Sequence, residues 1–358
     1  MPQRAATHHL PLWGQHAGLG AEPMALLGAQ AVAHYGDPEA EYRLAAESVG
    51  VVDLGFLSAV RCEGRDHREY LNRRLSQKTD DLADGDARRS ALLGAEGRMQ
   101  ADVELLALGD ATLALSTPAS SADSIHSLFD MYVFTEDARF EPATGSVAVF
   151  AVTGPKAASM LAALGLAPPA AGRYAQRAFG GGEVLAWESG FAPGGWAVLA
   201  PAPEGEALWQ RLGQAAVASG GGPVGFLAFD TLRIEAGAPW WGIDLDEKTI
   251  PLDANLLAAV HFDKGCYPGQ ETIAKITNLG HPARQLVGVL FDAEEPLPAG
   301  SELSAGGAAA GRLTSSSYSP RARRAVGLAM LRWAQRAPGT KLDCGGVSGE
   351  VVELPMRR

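Results

Sequence analysis

The chain has 358 residues, 47% of them apolar and 20% charged, which is enough for one large or two ordinary domains with cores of their own and excludes a disordered or fibrous chain. Thirty Lys and Arg against 41 Asp and Glu give a formal charge of -11, which argues against direct nucleic-acid binding and against binding to an anionic membrane surface. Three scattered cysteines, Cys62, Cys266 and Cys344, without any C-x-x-C pair, support neither a disulfide framework nor a structural metal site, and they fit a reducing cytoplasm.

Residues 1–35 are read as an N-terminal extension, with His8 and His9 in a mobile tail. Asp37-Pro38 followed by Glu39 and Glu41 opens a helix that carries Tyr42, Leu44, Ala45 and Val49 and stops at Gly50. A strand at 57–62, a turn at Gly64 and the capping-box spacing Asp66 to Glu69 predict strand, glycine turn, helix. The same order returns at 147–164 around Gly154-Pro155, a weak internal duplication. Between the copies, 91–93 and 102–108 flank Gly94-Ala95-Glu96-Gly97 as a hairpin, with another strand at 113–116. Strands at 184–188 and 196–199 and a helix from Glu204 repeat the scheme.

Gly220 to Gly225 fits G-x-G-x-x-G in letters only, because it follows a helix and no ribose-binding acid stands downstream. Asp230, Arg233 and Glu235 lie on a helix ended by Gly237, spaced for one inward ion pair. In Trp240-Trp241, one ring can pack in the core while the other faces a cleft and stacks on a flat ligand. Helices are expected over 255–261 and from Gly269 to Thr277. Beyond residue 280, short alternating runs separated by Gly and Pro predict a small all-β barrel, in which Arg321, Arg323 and Arg324 form a solvated hairpin tip. The fold class is α+β, divided into 1–35, 36–280 and 281–358.

The strongest chemical signal is Asp263-Lys264-Gly265-Cys266-Tyr267-Pro268-Gly269-Gln270-Glu271. Cys266 precedes a helix N-terminus and lies two residues from Lys264, and both features favour thiolate over thiol. Gly265 and Gly269 would let backbone approach a ligand. The alternative is a small hydrophobe at a crowded turn.

K-G-C-Y-P-G-Q-E at Lys264 to Glu271 resembles the signature of the folate-binding YgfZ family, relatives of the glycine-cleavage T-protein (aminomethyltransferase). Gly50 to Leu54, Gly64-Arg65-Asp66, Leu92 to Val103, Val152 to Pro155, Arg233 to Pro239 and the segment from Gln285 extend the likeness over nearly the whole chain. The resemblance implies two related α+β lobes around a central cleft that holds tetrahydrofolate or another reduced folate, plus a C-terminal barrel. It implies Cys266 and Lys264 as the reacting residues. Folate binding falls to Asp102, Arg233, Trp241, Gly265, Tyr267, Gly269, Gln270 and Glu271, with no resident metal. The implied role is accessory, through transient contact with iron-sulfur proteins or their assembly machinery, including tRNA-modifying enzymes. The alternative is folate-dependent aminomethyl transfer of the glycine-cleavage type. Against that transfer stand three departures from the T-protein pattern: Phe229 where its R-D-x-L-R segment begins, Ala197 at the glutamate of its G-E-D-G-x-E loop, and Ala101-Asp102 where it has paired aspartates.

Overall fold

The computed structural model describes residues 8–356. In chain order the elements are α1 (Trp13–Gly18), β1 (Glu22–Leu26), β2 (Ala29–His34), α2 (Pro38–Glu47), β3 (Gly50–Asp53), β4 (Ser58–Glu63), α3 (His67–Arg74), β5 (Ala87–Leu93), β6 (Met99–Leu108) and β7 (Ala111–Ser116). There follow α4 (Ala122–Asp130), β8 (Arg139–Pro142), β9 (Val147–Thr153), α5 (Ala157–Ala163), β10 (Tyr174–Phe179), β11 (Gly182–Glu188), β12 (Gly195–Pro201), α6 (Gly205–Ala218), β13 (Gly222–Pro223), α7 (Phe226–Ala236) and α8 (Gln270–Leu279). The last strands are β14 (Arg284–Phe291), β15 (Glu302–Ala305), β16 (Ala308–Ser319), β17 (Arg324–Arg332), β18 (Lys341–Cys344) and β19 (Val347–Val352).

Local chemistry accounts for most of these boundaries. Asp37 caps α2 through Oδ1, which accepts from the backbone N–H of Glu39 at 2.9 Å and Ala40 at 3.3 Å, and Pro38 takes the first helical position. The duplicated strand-turn-helix units are real: Gly64 and Gly154 have φ of +101° and +110°, and a Cβ there would lie 2.2 Å from the Asp137 carbonyl oxygen and 2.3 Å from that of Ala45. The expected capping box at Asp66 does not form. Its carboxylate instead accepts from the Asp137 N–H at 2.9 Å and so ties α3 to the start of β8. The helix expected over 255–261 is reduced to one 3-10 turn, Leu257–Ala259, because Ser76 and Gln77 take up the backbone around it.

Two large sheets result, β5-β6-β7-β4-β8 and β10-β11-β12-β9-β3-β13, with β1-β2 as a separate two-stranded sheet, followed by a closed barrel β14-β17-β16-β15-β18-β19. The fold is therefore α+β lobes with a C-terminal barrel. β3 precedes the first sheet in sequence yet pairs antiparallel with β9 in the second, Gly50 opposite Thr153 and Val52 opposite Ala151, so the lobes are threaded through one another.

One apolar cluster takes side chains from both sheets and α7. Its centre is aromatic: the Trp240 ring lies 5.6–6.2 Å from the rings of Phe56, Phe191, Phe226 and Phe229. Within the 1–35 extension, Leu10, Leu26, Ala29, Ala31 and Val32 belong to this core. The His8 carbonyl accepts from Gln30 N–H at 2.8 Å, so His8 is tied down.

The barrel docks on α7. Ile234 meets Leu286, Val326, Leu328 and Met330, and the Glu235 carboxylate accepts from Tyr42, Ser319 and Arg321. Arg321 is therefore an interdomain anchor, while Arg324 pairs with Asp292 at 3.0 Å on the surface.

Candidate functional site

The hairpin register places three charged residues on one face: Arg89 stands opposite Glu104, and Ala91 opposite Asp102, so Arg89, Asp102 and Glu104 project the same way. Asp102 is fully buried and accepts a two-pronged bond from the Arg89 guanidinium, Nε to Oδ1 at 2.9 Å and Nη2 to Oδ2. Glu104 accepts from Trp187 Nε1 at 3.0 Å, Ser189 Oγ at 2.7 Å and the Gly190 N–H, all from the second lobe. Burial pushes the Glu104 carboxyl up, against the pull of these donors and of Arg89. Asp102 was expected to accept from a pterin N–H edge, but its oxygens are already taken by Arg89.

Arg233 is equally enclosed. Its Nε donates to Asp230 at 2.6 Å and its Nη1 to Asp244 at 2.6 Å, so the inward ion pair expected from the spacing is a double clamp. Asp244 also accepts from the Trp240 N–H, Thr314 and Ser315, which joins α7 to the barrel. Two donors are left over in this knot: Arg233 Nη2 and Trp240 Nε1 are buried without a protein acceptor.

The octapeptide forms a turn before α8. Lys264 is expected beside the sulfur, but its Nζ instead enters the C-terminal end of α3 and donates to the carbonyls of Asn72, Leu75 and Gln77, the last two at 2.7 and 2.9 Å. Burial pushes its ammonium down to about 8. Tyr267 is buried, with its ring 5.0 Å from Nζ. Gly269 has a φ of +80°, and a Cβ there would lie 2.5 Å from Gly97 Cα, so this glycine seats α8 on the β5–β6 hairpin tip. Cys266 and Gly265 are exposed, as is Glu271, and Gln270 is half-buried. Cys62 and Cys344 are buried, and burial raises both thiols.

Trp240 and Trp241 are both buried: Trp240 is in the aromatic core, and Trp241 packs in a second apolar cluster with Leu245 and Tyr267 while it lines two cavities of 710 and 580 Å³ that share Ala119 and Glu247 with it. Among the described residues, no hydrogen bond or ion pair joins Cys266 to Asp102, Arg233 or Trp241. Sequence reasoning missed Arg89, Glu104 and Asp244. Strand alternation across the correctly placed hairpin could have put Arg89 and Asp102 on one face, whereas nothing local points to Glu104's partners in β11 and the loop after it. Among the described residues, no group of three His, Cys, Asp or Glu is placed to hold a metal, and no helix is long and apolar enough to cross a membrane.

Two interleaved α+β lobes with a closed six-stranded barrel clamped on a buried arginine define a three-part architecture of T-protein type. The model of the GCVT N-terminal domain matches residues 12–264, and that of the glycine cleavage T-protein C-terminal barrel domain matches 284–356. The chain belongs to the glycine-cleavage T-protein family. It is 30% identical to an aminomethyltransferase of Rubrobacter xylanophilus, over 91% of this chain and 87% of that protein, and 31% identical to one of Frankia alni, over 97% and 93%. The crystal structure of glycine cleavage system aminomethyltransferase T from Bartonella henselae shares the fold, with a TM-score of 0.85 and 23% identity over 98% of both chains.

Proposed function

We propose that this chain binds a reduced folate and serves, in the cytoplasm, as a folate-linked accessory protein for iron-sulfur enzymes, with Cys266 as its reactive group. The observation that carries the reading is the octapeptide turn: Lys264 and Gly269 fasten it from both ends, which leaves Cys266 as the exposed thiol of the three. This fits the YgfZ branch of the family. With two of the three cysteines buried, contact with an iron-sulfur protein is transient and through one thiol.

Folate binding is supported by the two unpaired donors, Arg233 Nη2 and Trp240 Nε1, which suit a ligand rich in acceptors. Asp102, held by Arg89 in the structure, carries a carboxylate of the kind that the paired donors of a pterin edge would meet once that bond opens. Trp241 offers a ring face at the cavity wall. A reduced folate supplies the capacity to carry a one-carbon unit. The chain's own part is to orient that ring and to exclude water with the aromatic cluster around Trp240.

A second reading, aminomethyl transfer of the glycine-cleavage type, is favoured by the relatives, which are named aminomethyltransferases and align nearly end to end. The residues weigh against it. Ala197 is buried in β12 opposite Ala151, and Phe229 packs on Trp240, so neither position supplies a polar group to a ligand. Calorimetry with 5-formyl-tetrahydrofolate, paired with assays of iron-sulfur enzymes in cells carrying Cys266→Ser, tests the first reading. Binding with loss of that support is expected, whereas full support by Cys266→Ser overturns it. Folate-dependent ammonia release from an aminomethyl-lipoyl carrier at enzymatic rates would establish the second reading in its place.

A further inference from the structure

Arg89 and Asp102 meet edge to edge, with Nε and Nη2 on one side and two carboxylate oxygens on the other. Asp102 is wholly enclosed, whereas the Arg89 side chain keeps 17% exposure, so the guanidinium is the solvent-side member of the pair. Gly190 lies over it: a Cβ there would stand 2.5 Å from Arg89 Nη1 and 3.1 Å from Glu104 Oε1. The guanidinium seat is therefore bounded by a bare backbone and by a second carboxylate, directly opposite Arg89 in the β5–β6 register.

The edge that Arg89 presents has a chemical double. The 2-amino-4-oxo ring of a pterin carries a ring N–H and an exocyclic amino group side by side, a cyclic guanidine, and it offers a carboxylate the same pair of parallel donors. We propose that Arg89 is an internal ligand of Asp102 which a pterin ring must displace, and that Asp102 thereby selects ligands with a guanidine-like edge. The inference rests on the folate reading and adds to it which residue occupies the site when the ligand is away. Exchange of one fork for another conserves the hydrogen bonds of Asp102, and the displaced Arg89 retains a counter-charge in Glu104. The pterin edge is neutral where the guanidinium is a cation, so the exchange gives up a charge pair and the internal competitor weakens binding of every pterin.

The test is a titration of wild type, Arg89→Met, Asp102→Asn and the double variant with three probes: pterin, lumazine (which has a second oxo group in place of the amino group) and 5-formyl-tetrahydrofolate. Calorimetry gives affinity. Arg89→Met should bind pterin at least tenfold more tightly than wild type, with lumazine unchanged and the gain abolished in the double variant. Arg89→Lys, which keeps the charge but not the fork, should show a smaller gain in the same direction and serves if Arg89→Met does not fold. Unchanged or weaker pterin binding by a folded Arg89 variant, or an equal gain for lumazine, overturns the proposal. If pterin discriminates as stated while 5-formyl-tetrahydrofolate binds none of the proteins, the folate reading falls and the role of Arg89 stands. If 5-formyl-tetrahydrofolate binds wild type and Arg89→Met alike, the reverse holds.

Discussion

Lys264 shows how a residue next to a reactive group can serve another purpose. Its ammonium closes the C-terminal end of α3 by donating to three carbonyls, one of them across 192 residues of chain. Hydrogen bonds that involve a charged group contribute ~1.5–3 kcal/mol. Lys264→Met should therefore lower the unfolding free energy by about 2–3 kcal/mol in urea titrations, with three carbonyls left without a donor. The pH dependence has a definite sign. Burial holds the folded pKa near 8, below the ordinary 10.5, so the folded chain binds this proton less tightly than the unfolded one. The stability linked to Lys264 is present above the unfolded value and is lost as pH falls through about 8, so the advantage of wild type over Lys264→Met should grow from pH 8 upward. An advantage that is flat or falls over that range would show that the ammonium's bonds outweigh its burial.

At the scale of elements, the meeting of α8 with the β5–β6 hairpin is governed by two glycines. Gly97 and Gly269 both have positive φ, and a side chain on Gly269 would strike the hairpin backbone. Gly269→Ala should cost ~2–4 kcal/mol through left-handed backbone strain plus overpacking. Gly213→Ala, inside α6 with nothing within 4 Å of the added Cβ, should instead stabilise by ~0.5–1 kcal/mol. Thermal or urea unfolding of the two variants side by side checks the contrast. Equal effects would mean that α8 shifts freely on the hairpin, and then the fixed position of Cys266 would go with it.

Across the whole molecule, the lobes and barrel are held by buried carboxylates that each gather donors from several elements. Glu104 binds the second lobe to the first, Asp244 binds α7 to the barrel through Arg233, and Glu235, in the same last turn of the helix, does so again. Because burial raises the Glu104 pKa, the folded state holds that proton more tightly than the unfolded chain. The associated stability is complete below the ordinary carboxylate range and is lost as pH rises through the raised value. The stability difference between wild type and Glu104→Gln should accordingly shrink as pH increases from about 4, measured by urea unfolding at stepped pH. A difference that widens with pH would show that Arg89 and the three donors outweigh burial.

The parts legible in the linear order are those whose causes are local. Asp37-Pro38 opens α2 because cap and donors lie within three residues, Gly64 and Gly154 turn because only glycine adopts that backbone beside a carbonyl, and hairpin and barrel strands follow from alternation between glycine turns. The octapeptide was likewise visible as a turn before a helix, and Trp241 as the member of its pair that faces a cavity. Pairings across long stretches of chain had no such cause. β3 joins β9 and not its neighbour β4, Lys264 finds α3 and not Cys266, Asp102 is taken by Arg89, and Arg233 is locked between Asp230 and Asp244. These follow from which buried charge meets which donor once the apolar faces have closed, since a charge taken from water must take the partner that packing brings within reach. Residue types and local spacing set the elements and the motif, and three-dimensional packing decided which groups remain free to meet a ligand.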